Sequence, residues 1–229
     1  MRNLSVSLLV GAMALVIPSC SAAPEPLPDG VGDGLLHADE QPPEGAQLYQ
    51  RPVWRMGDTF TLVRGEQLRG TFTVVEADKQ GYAIDMGQGR VLRRDRDLGN
   101  VGEWQGAGED ATAVRLMSPV DVRYHWPLWV GKTWSCRFVD RVRGGRALLM
   151  QADYRVEGQD RLAVPAGDYE TLRVVRSLRL AEPEAEGKFL TRTQVAWFAP
   201  ELGLEVRQLL GDTLVELVAF ERADGGSGQ

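Results

Sequence analysis

The chain has 229 residues, a formal net charge of −6, 43% hydrophobic residues and 25% charged residues, which is the composition of a globular protein. An acidic balance argues against binding to nucleic acid, because such binding requires Lys and Arg to neutralise phosphates. Only three of the 26 basic residues are Lys, and the Arg residues are spread among acids along the chain. This pattern is typical of a genome-wide composition bias and does not indicate a phosphate site.

The first twenty residues, MRNLSVSLLVGAMALVIPSC, predict an export signal that ends in a lipidated cysteine. Arg2 gives a positive start, and the segment from Leu4 to Ile17 is apolar or small and carries no charge. That segment is too short to span a bilayer, which needs about 20 residues, but it has the length of a signal-peptide core. It ends in Ile-Pro-Ser-Cys, which resembles the bacterial lipobox. The alternative is ordinary cleavage near residues 21–23, which would discard Cys20.

Lipidation of Cys20 would make it the mature N-terminus and tie the protein to the cell envelope. Several acyl chains give stable anchoring, because each buried methylene contributes about 0.8 kcal/mol. Ser21 stands where lipoproteins of the inner membrane often carry Asp, so the resemblance implies the periplasmic face of the outer membrane. Cys136 then has no intrachain disulfide partner. Since Cys136 alternates with Trp134 and Phe138, we expect a buried, unreactive thiol.

Composition predicts five segments: a signal peptide (1–19), a lipidated cysteine with a flexible tether (20–47), two β-rich halves (48–120 and 121–223) and a disordered tail (224–229). The tether is rich in Pro, Gly and acidic residues, and a coil of about 26 residues reaches roughly 25–30 Å. The prediction of two related halves depends on a short internal repeat. Pro-x-Trp precedes Gly-x-Thr-aromatic at residues 52–60 and, with one residue gapped, at 127–134. This internal repeat indicates either two related halves or a chance match.

From Tyr49 onward, apolar and polar residues alternate with a period of two, which predicts β-strands. Two hairpins are clearest, with a Gly144-Gly145 turn between 133–142 and 146–157, and a Gly211-Asp212 turn between 204–210 and 213–221. Further strands are predicted, in chain order, over 58–63, 69–76, 82–86, 90–93, 113–117, 169–180 and 189–198. No long window after the signal has helical periodicity. The sequence therefore predicts an all-β fold, either an antiparallel β-sandwich or a curved half-barrel sheet, with two similar β-halves as one option.

Patterns for catalysis and metal binding are missing from the sequence, so we expect no enzyme, no cofactor and no metal site. No G-x-S-x-G, P-loop or H-E-x-x-H motif occurs. His37 lies in the predicted tether, and His125 stands alone among aromatic residues, where a packing or capping role is expected. Residues 95–100 are similar to the start of a calcium loop, but Gly106 stands where an EF-hand needs Glu. With Arg94 beside it, we interpret this segment as a salt-bridged surface loop.

Aromatic side chains provide the candidate surface for a ligand or partner, namely Tyr124, Trp126, Trp129, Trp134 and Trp197. The first four lie close together in the sequence, and Trp is common at binding surfaces. One alternative is that these side chains fill the end of the β core. The other is that some of them line a groove for an acyl chain, a glycan or a peptide.

Three sequence motifs in the C-terminal half resemble those of a known family: PLWVGKTW (127–134), VPAGDY (164–169) and WFAPELG (197–203). They resemble the PLxVGKxW, VPAG-aromatic and W-aromatic-xPxxG motifs of a group of uncharacterised bacterial periplasmic proteins and lipoproteins. The resemblance covers residues 124–222. It implies a β-rich envelope domain and no particular activity.

These patterns together predict a lipid-anchored envelope β-domain that acts as a non-catalytic binding or scaffolding module. Its expected partners are the membrane, through the anchor, and an envelope protein or a hydrophobic ligand. The first alternative is a periplasmic carrier of lipids or other hydrophobic ligands, since curved antiparallel sheets can enclose them. A weaker alternative is a hydrolase of envelope polymers, for which Asp153, Asp160 and Asp168 offer no defensible pairing.

Overall fold

A computed structural model describes residues 34–65, 67–106, 108–181 and 189–223. These residues form thirteen strands and a short 3-10 helix (Gly108–Asp110), which confirms the all-β prediction. The strands are β1 (Leu35–Ala38), β2 (Thr59–Arg64), β3 (Gln67–Ala77), β4 (Gly81–Asp85), β5 (Arg90–Asp95), β6 (Asn100–Gln105), β7 (Thr112–Asp121), β8 (Thr133–Val142), β9 (Ala147–Val164), β10 (Gly167–Ala181), β11 (Phe189–Ala199), β12 (Leu204–Leu210) and β13 (Thr213–Glu221). The predicted signal peptide, Cys20 and the C-terminal tail lie outside the described residues.

Among the described residues, no helix has the length and apolarity needed to cross a membrane.

The strands form one antiparallel sheet that closes on itself. Neighbours along the chain pair from β2 through β13, and β13 pairs with β2, so twelve strands make a barrel. Closure leaves these twelve strands without a free edge. The curved antiparallel sheet predicted from the sequence is confirmed. The sheet curves far enough for the first and last strands of the barrel, β2 and β13, to pair and close it. The sheet also runs across the boundary predicted at residue 120, because β7 pairs with β8.

Strand β1 corrects part of the predicted tether. It pairs with the first half of β8, beside the point where β7 separates from β8. Asp39 extends this attachment, since its carboxylate accepts hydrogen bonds from the backbone N–H (2.7 Å) and the hydroxyl (2.9 Å) of Thr133. Residues 34–39 therefore belong to the folded domain. Composition did not reveal this strand, because a four-residue strand depends on its neighbour and not on its own sequence.

Strand β6 was also absent from the sequence prediction. Its sequence, NVGEWQ, is short and has Gly102 at its centre. A Cβ atom at Gly102 would lie 2.4 Å from the carbonyl oxygen of Arg115 on β7. Glycine is thus required by the close approach of two backbones, and this requirement breaks the alternating pattern that predicts strands.

The barrel interior has two halves. We call the end that carries the turns β4–β5, β8–β9 and β12–β13 the hairpin end, and the opposite end the closed end. Near the closed end the interior is filled by large buried aromatic side chains, namely Trp54, Tyr82, Tyr124, Trp134, Tyr154 and Phe198. Toward the hairpin end the inward-facing positions carry aliphatic, Met and some charged side chains, which leave space between them.

Candidate functional site

The barrel encloses a cavity of about 490 Å³ that extends toward the hairpin end. Sites for small molecules typically occupy about 300–1,000 Å³, so this space has the size of a ligand site. Its apolar wall contains both aromatic and aliphatic side chains, namely Trp54, Phe60, Leu62, Phe72, Ile84, Met86, Leu92, Met117, Phe138, Leu148, Met150, Leu178, Leu180, Leu204 and Leu210. Most of these side chains come from strands all around the ring. Closure of the barrel, and not any single hairpin, therefore assembles the wall.

A layer of buried and partly buried ionisable side chains forms the inner end of the cavity. We call it the inner polar layer, and it consists of Arg94, Asp121, Arg123, Arg176 and Glu205. The carboxylate of Asp121 accepts hydrogen bonds from the Tyr154 hydroxyl (2.7 Å), Arg176 (2.8 Å) and Asn100 (3.2 Å). Asp121 is only 1% exposed, and these donors satisfy a charge that would otherwise be costly to bury.

Glu205 is held by two donors on one oxygen. Arg123 donates to its Oε1 at 2.7 Å, and the Tyr124 hydroxyl donates to the same atom. The other oxygen, Oε2, is buried without a hydrogen-bond partner among the described residues. Burial raises the pKa of Glu205, but the charges of Arg123 and Arg94 outweigh burial and hold the pKa below its ordinary value. Glu205 is therefore an anion at neutral pH.

Arg94 is the guanidinium that has no carboxylate partner. No ion pair joins it to a carboxylate among the described residues, and its Nε is buried without a hydrogen-bond partner. Its guanidinium carbon lies 5.6 Å from the centre of the Trp54 ring, a cation–π contact. Burial lowers the pKa of Arg94, and the charge of Glu205 opposes that effect. Because the ordinary pKa of arginine is above 12, the side chain stays charged.

The charged groups nearer the hairpin end are paired with one another. Arg115 donates from Nε (2.8 Å) and from its terminal nitrogen (2.6 Å) to the two oxygens of Asp140. Glu103 pairs with Arg90. Arg192 also lines the cavity and is exposed at its edge. The unbalanced buried charge is thus confined to the inner polar layer.

The structure places most of the predicted aromatic surface inside the protein. Tyr124, Trp129 and Trp134 are at most 2% exposed, whereas Trp126 and Trp197 are half-buried. Trp134 stacks on Tyr154 with ring centres 5.0 Å apart. This burial agrees with the alternative in which the aromatic side chains fill the end of the β core.

The indole nitrogens of three of these tryptophans also donate hydrogen bonds within the chain. Trp134 donates to the Val122 carbonyl (2.9 Å), Trp126 to the Asp97 carbonyl (3.1 Å), and Trp197 to the Asp160 carboxylate (3.0 Å). The ring of Trp129 lies 4.2 Å from the Lys132 ammonium and bounds a shallow groove outside the barrel. None of the four lines the barrel cavity, and Tyr124 reaches the inner polar layer through its bond to Glu205. Cys20 lies outside the described residues.

The loop at residues 95–100 is salt-bridged, as predicted, but Arg94 does not belong to its surface. Arg51 pairs with Asp97 at 3.1 Å, and Asp95 accepts from the Gly99 N–H at 2.7 Å. In the described part of the chain there is no cluster of three or more His, Cys, Asp or Glu that could hold a metal ion.

Arg94 faces the interior because it alternates in phase with Leu92 along β5. That alternation was the signal in the sequence that could have identified Arg94.

The two histidines and the cysteine lie away from the cavity. His37 lies on β1 and bonds to Asp39 at 3.2 Å. His125 lies 3.7 Å from Glu40, and burial lowers its pKa. Cys136 is buried, as predicted, and burial raises its pKa to about 12, so its thiol is protonated at neutral pH.

No protein-family model and no curated protein matches this chain. Solved structures give three similarities. The hypothetical lipoprotein YmcC from Escherichia coli aligns with a TM-score of 0.48 and 9% identity over 78% of this chain and 92% of that chain. A candidate lipoprotein from Parabacteroides distasonis aligns with a TM-score of 0.46 and 11% identity over 76% of this chain and 100% of that chain. A candidate exported protein of YmcC-like fold from Bacteroides fragilis aligns with a TM-score of 0.42 and 12% identity over 77% of this chain and 100% of that chain.

Proposed function

We propose that this protein is a lipid-anchored binding module of the bacterial cell envelope that carries a hydrophobic ligand inside its barrel. The observation that carries the proposal is the cavity of about 490 Å³ with its wall of aliphatic, Met and aromatic side chains. Closed barrels whose interior exceeds the volume of their side chains can hold one small ligand. The lipobox resemblance at Cys20 supports an anchored protein at the periplasmic face of the outer membrane.

The energetics of the wall suit a ligand with an apolar chain. Each methylene that moves from water into such an environment contributes about 0.8 kcal/mol. The apolar residues lie toward the hairpin end, so a chain can contact them along the barrel axis. A periplasmic carrier needs this shielding, because the compartment between membranes is aqueous.

The inner polar layer supports a non-catalytic role. Arg123 and Glu205 bond to each other, and so do Arg176 and Asp121. Groups paired in this way neutralise most of the charge of the site. Reversible binding therefore accounts for the cavity without a chemical step.

The carrier role can be tested with a neutral dye whose emission shifts in apolar surroundings, 6-propionyl-2-(dimethylamino)naphthalene. The protein is the full chain with Cys20→Ser, which cannot be lipidated, so that neither detergent nor membrane takes up the dye. We expect saturable binding. Leu178→Trp places an indole in the cavity and should weaken dye binding by about tenfold or more, a change of about 1.4 kcal/mol or more.

Ser177→Trp is the matched control, because it adds the same side chain to the outer face of β10. Thermal unfolding of both variants shows that each is folded. Absence of saturable binding, or equal binding by the two variants, would contradict the carrier role.

Scaffolding of an envelope protein is the second candidate. It is favoured by apolar side chains exposed before β2, Val53 (57%) and Met56 (69%). Crosslinking in intact cells, with and without Met56→Glu, tests this role. A reproducible partner that is lost in the variant would support scaffolding, and no change would count against it.

A further inference from the structure

The inner polar layer indicates which ligand the cavity would accept. We propose that the ligand is a single-chain amphiphile whose headgroup carries one negative charge and is bound by Arg94. This inference rests on the proposed function, since it names the ligand class of the same cavity.

The first argument is the charge of the inner polar layer. Its three guanidinium groups face two carboxylates, so the layer carries one excess positive charge. Arg123 lies 2.7 Å from Glu205, and Arg176 lies 2.8 Å from Asp121, which leaves Arg94 as the unbalanced group. A buried charge is costly unless an opposite charge compensates it. One anionic headgroup would neutralise the layer, whereas a neutral or cationic headgroup would not.

The charges elsewhere in the cavity do not alter this balance. Arg115 and Asp140 form a two-point ion pair, and Glu103 pairs with Arg90. Arg192 is exposed at the cavity edge, where solvent screens it. The region that attracts an anion most strongly is therefore the buried inner end.

The second argument is the position of Arg94 relative to the apolar wall. Arg94 and Leu92 face the interior from the same strand, and Leu92 lies opposite Ile84 in the sheet. Leu92 is the nearer of the two to the β4–β5 turn. A headgroup at Arg94 therefore directs its chain past Leu92 toward Met86 and the hairpin end. Along β5, the charged side chain therefore lies deeper in the cavity than the apolar one, which is the order of headgroup and chain in an amphiphile.

The third argument is the chemistry of the guanidinium. The guanidinium carbon of Arg94 lies 5.6 Å from the centre of the Trp54 ring, a cation–π contact. A guanidinium donates hydrogen bonds in its own plane, in a fork that matches two oxygens of a carboxylate or a phosphodiester. Both headgroups carry one negative charge at neutral pH. The size of the cavity, in the lower half of the range for small-molecule sites, suits one acyl chain better than the several chains of a phospholipid.

Displacement of the neutral dye from the unlipidated full chain tests this ligand class. The competitors share a sixteen-carbon chain and differ in headgroup: hexadecanoate, 1-hexadecanoyl lysophosphatidylglycerol, hexadecanol and hexadecyltrimethylammonium, each below its micelle concentration. We expect at least one of the two anions to displace the dye at a concentration about tenfold or more below that of hexadecanol, because a charge-assisted hydrogen bond is then formed. The ammonium compound should be weakest. The stronger of the two anions identifies the headgroup as carboxylate or phosphodiester.

Arg94→Met is the decisive variant. It should remove the preference for anions while binding of hexadecanol and of the dye is retained. Arg93→Met is the matched control, because Arg93 is the neighbouring residue on β5, faces outward and is exposed. It should leave the preference unchanged. If Arg94→Met does not fold, Arg94→Gln, which keeps a polar side chain without the charge, replaces it.

The outcomes separate this inference from the proposed function. Equal affinity for the anions and hexadecanol, or a preference that survives loss of the Arg94 charge, would overturn the inference while dye binding still supports a carrier. Failure of the dye and of every competitor to bind would overturn the carrier role itself.

Discussion

The two halves of the barrel interior are built from the same strands, and they differ in how completely they are filled. On β10, Leu172 lies in the packed half near the closed end and is fully buried, whereas Leu178, on the same face of the same strand, lines the cavity. Both halves contain large apolar side chains. Packing makes the difference, since the aromatic side chains near the closed end fill the interior, whereas the Phe, aliphatic and Met side chains that line the cavity leave space between them. Hydrophobicity alone therefore does not distinguish a core from a binding cavity.

The sharpest test of this comparison is the same substitution in each half. Leu172→Ala should lower the free energy of unfolding by about 3–5 kcal/mol, because it creates a new void in a packed region. Leu178→Ala should cost about 1–2 kcal/mol, because Leu178 already borders open space and only its transfer free energy is lost. Urea unfolding of both variants measures the difference. Equal losses would show that the two halves are equally packed.

The next largest expected difference is between removing a carboxylate charge inside the barrel and removing one on its outer face. Asp121→Asn leaves Arg176 buried without its counter-ion, and we expect a loss of about 3–5 kcal/mol in the free energy of unfolding. Asp153→Asn is the control, because Asp153 pairs with Arg179 at 2.6 Å on the outer face with both side chains about 40% exposed. An exposed pair contributes about 0–1 kcal/mol. If the two substitutions cost the same, the inner polar layer is not shielded from solvent.

The pH dependence of stability should distinguish the inner polar layer from the surface. The pKa of Glu205 is lower in the folded protein than its ordinary value of 4.5, so the unfolded chain binds a proton at a higher pH than the folded one. Ionised Glu205 therefore stabilises the fold above about pH 4.5, and this contribution is lost as the pH falls through the lower folded pKa. The stability difference between the wild type and Glu205→Gln should shrink as the pH is lowered across that window. Urea unfolding over a pH series checks it, and a constant difference would contradict the role given to Glu205.

The smallest expected effect concerns the thiol in the packed half. In the chain with Cys20→Ser, Cys136 is the one remaining cysteine. Because it is buried and its pKa is raised to about 12, it should react with a thiol reagent at neutral pH only as fast as the protein unfolds. Rapid labelling of the native protein would show that the closed end is open to solvent.

The sequence predicted local structure well where the pattern was regular. The period-two alternation identified the β8–β9 and β12–β13 hairpins together with their glycine turns, and it placed Cys136 on a buried face. It missed β6, where Gly102 serves a close backbone approach, and β1, which needs β8 beside it. It also treated the arginines as a composition bias, although Arg94 alternates in phase with Leu92. A period of two assigns side chains to a face, but it does not tell whether that face meets solvent or the inside of a closed barrel.

What the sequence determined by itself were most of the strands, most of their turns and the absence of familiar catalytic motifs. All of these depend on residues close together along the chain. Tertiary structure alone decided the closure of the barrel, in which Phe60 of β2 pairs with Phe220 of β13. It alone brought Asp121 to Arg176 and Arg123 to Glu205, and so left Arg94 unpaired beside a cavity. The physical reason is that these contacts join residues distant along the chain, and no local pattern of hydrophobicity or charge records which distant partner a side chain will meet.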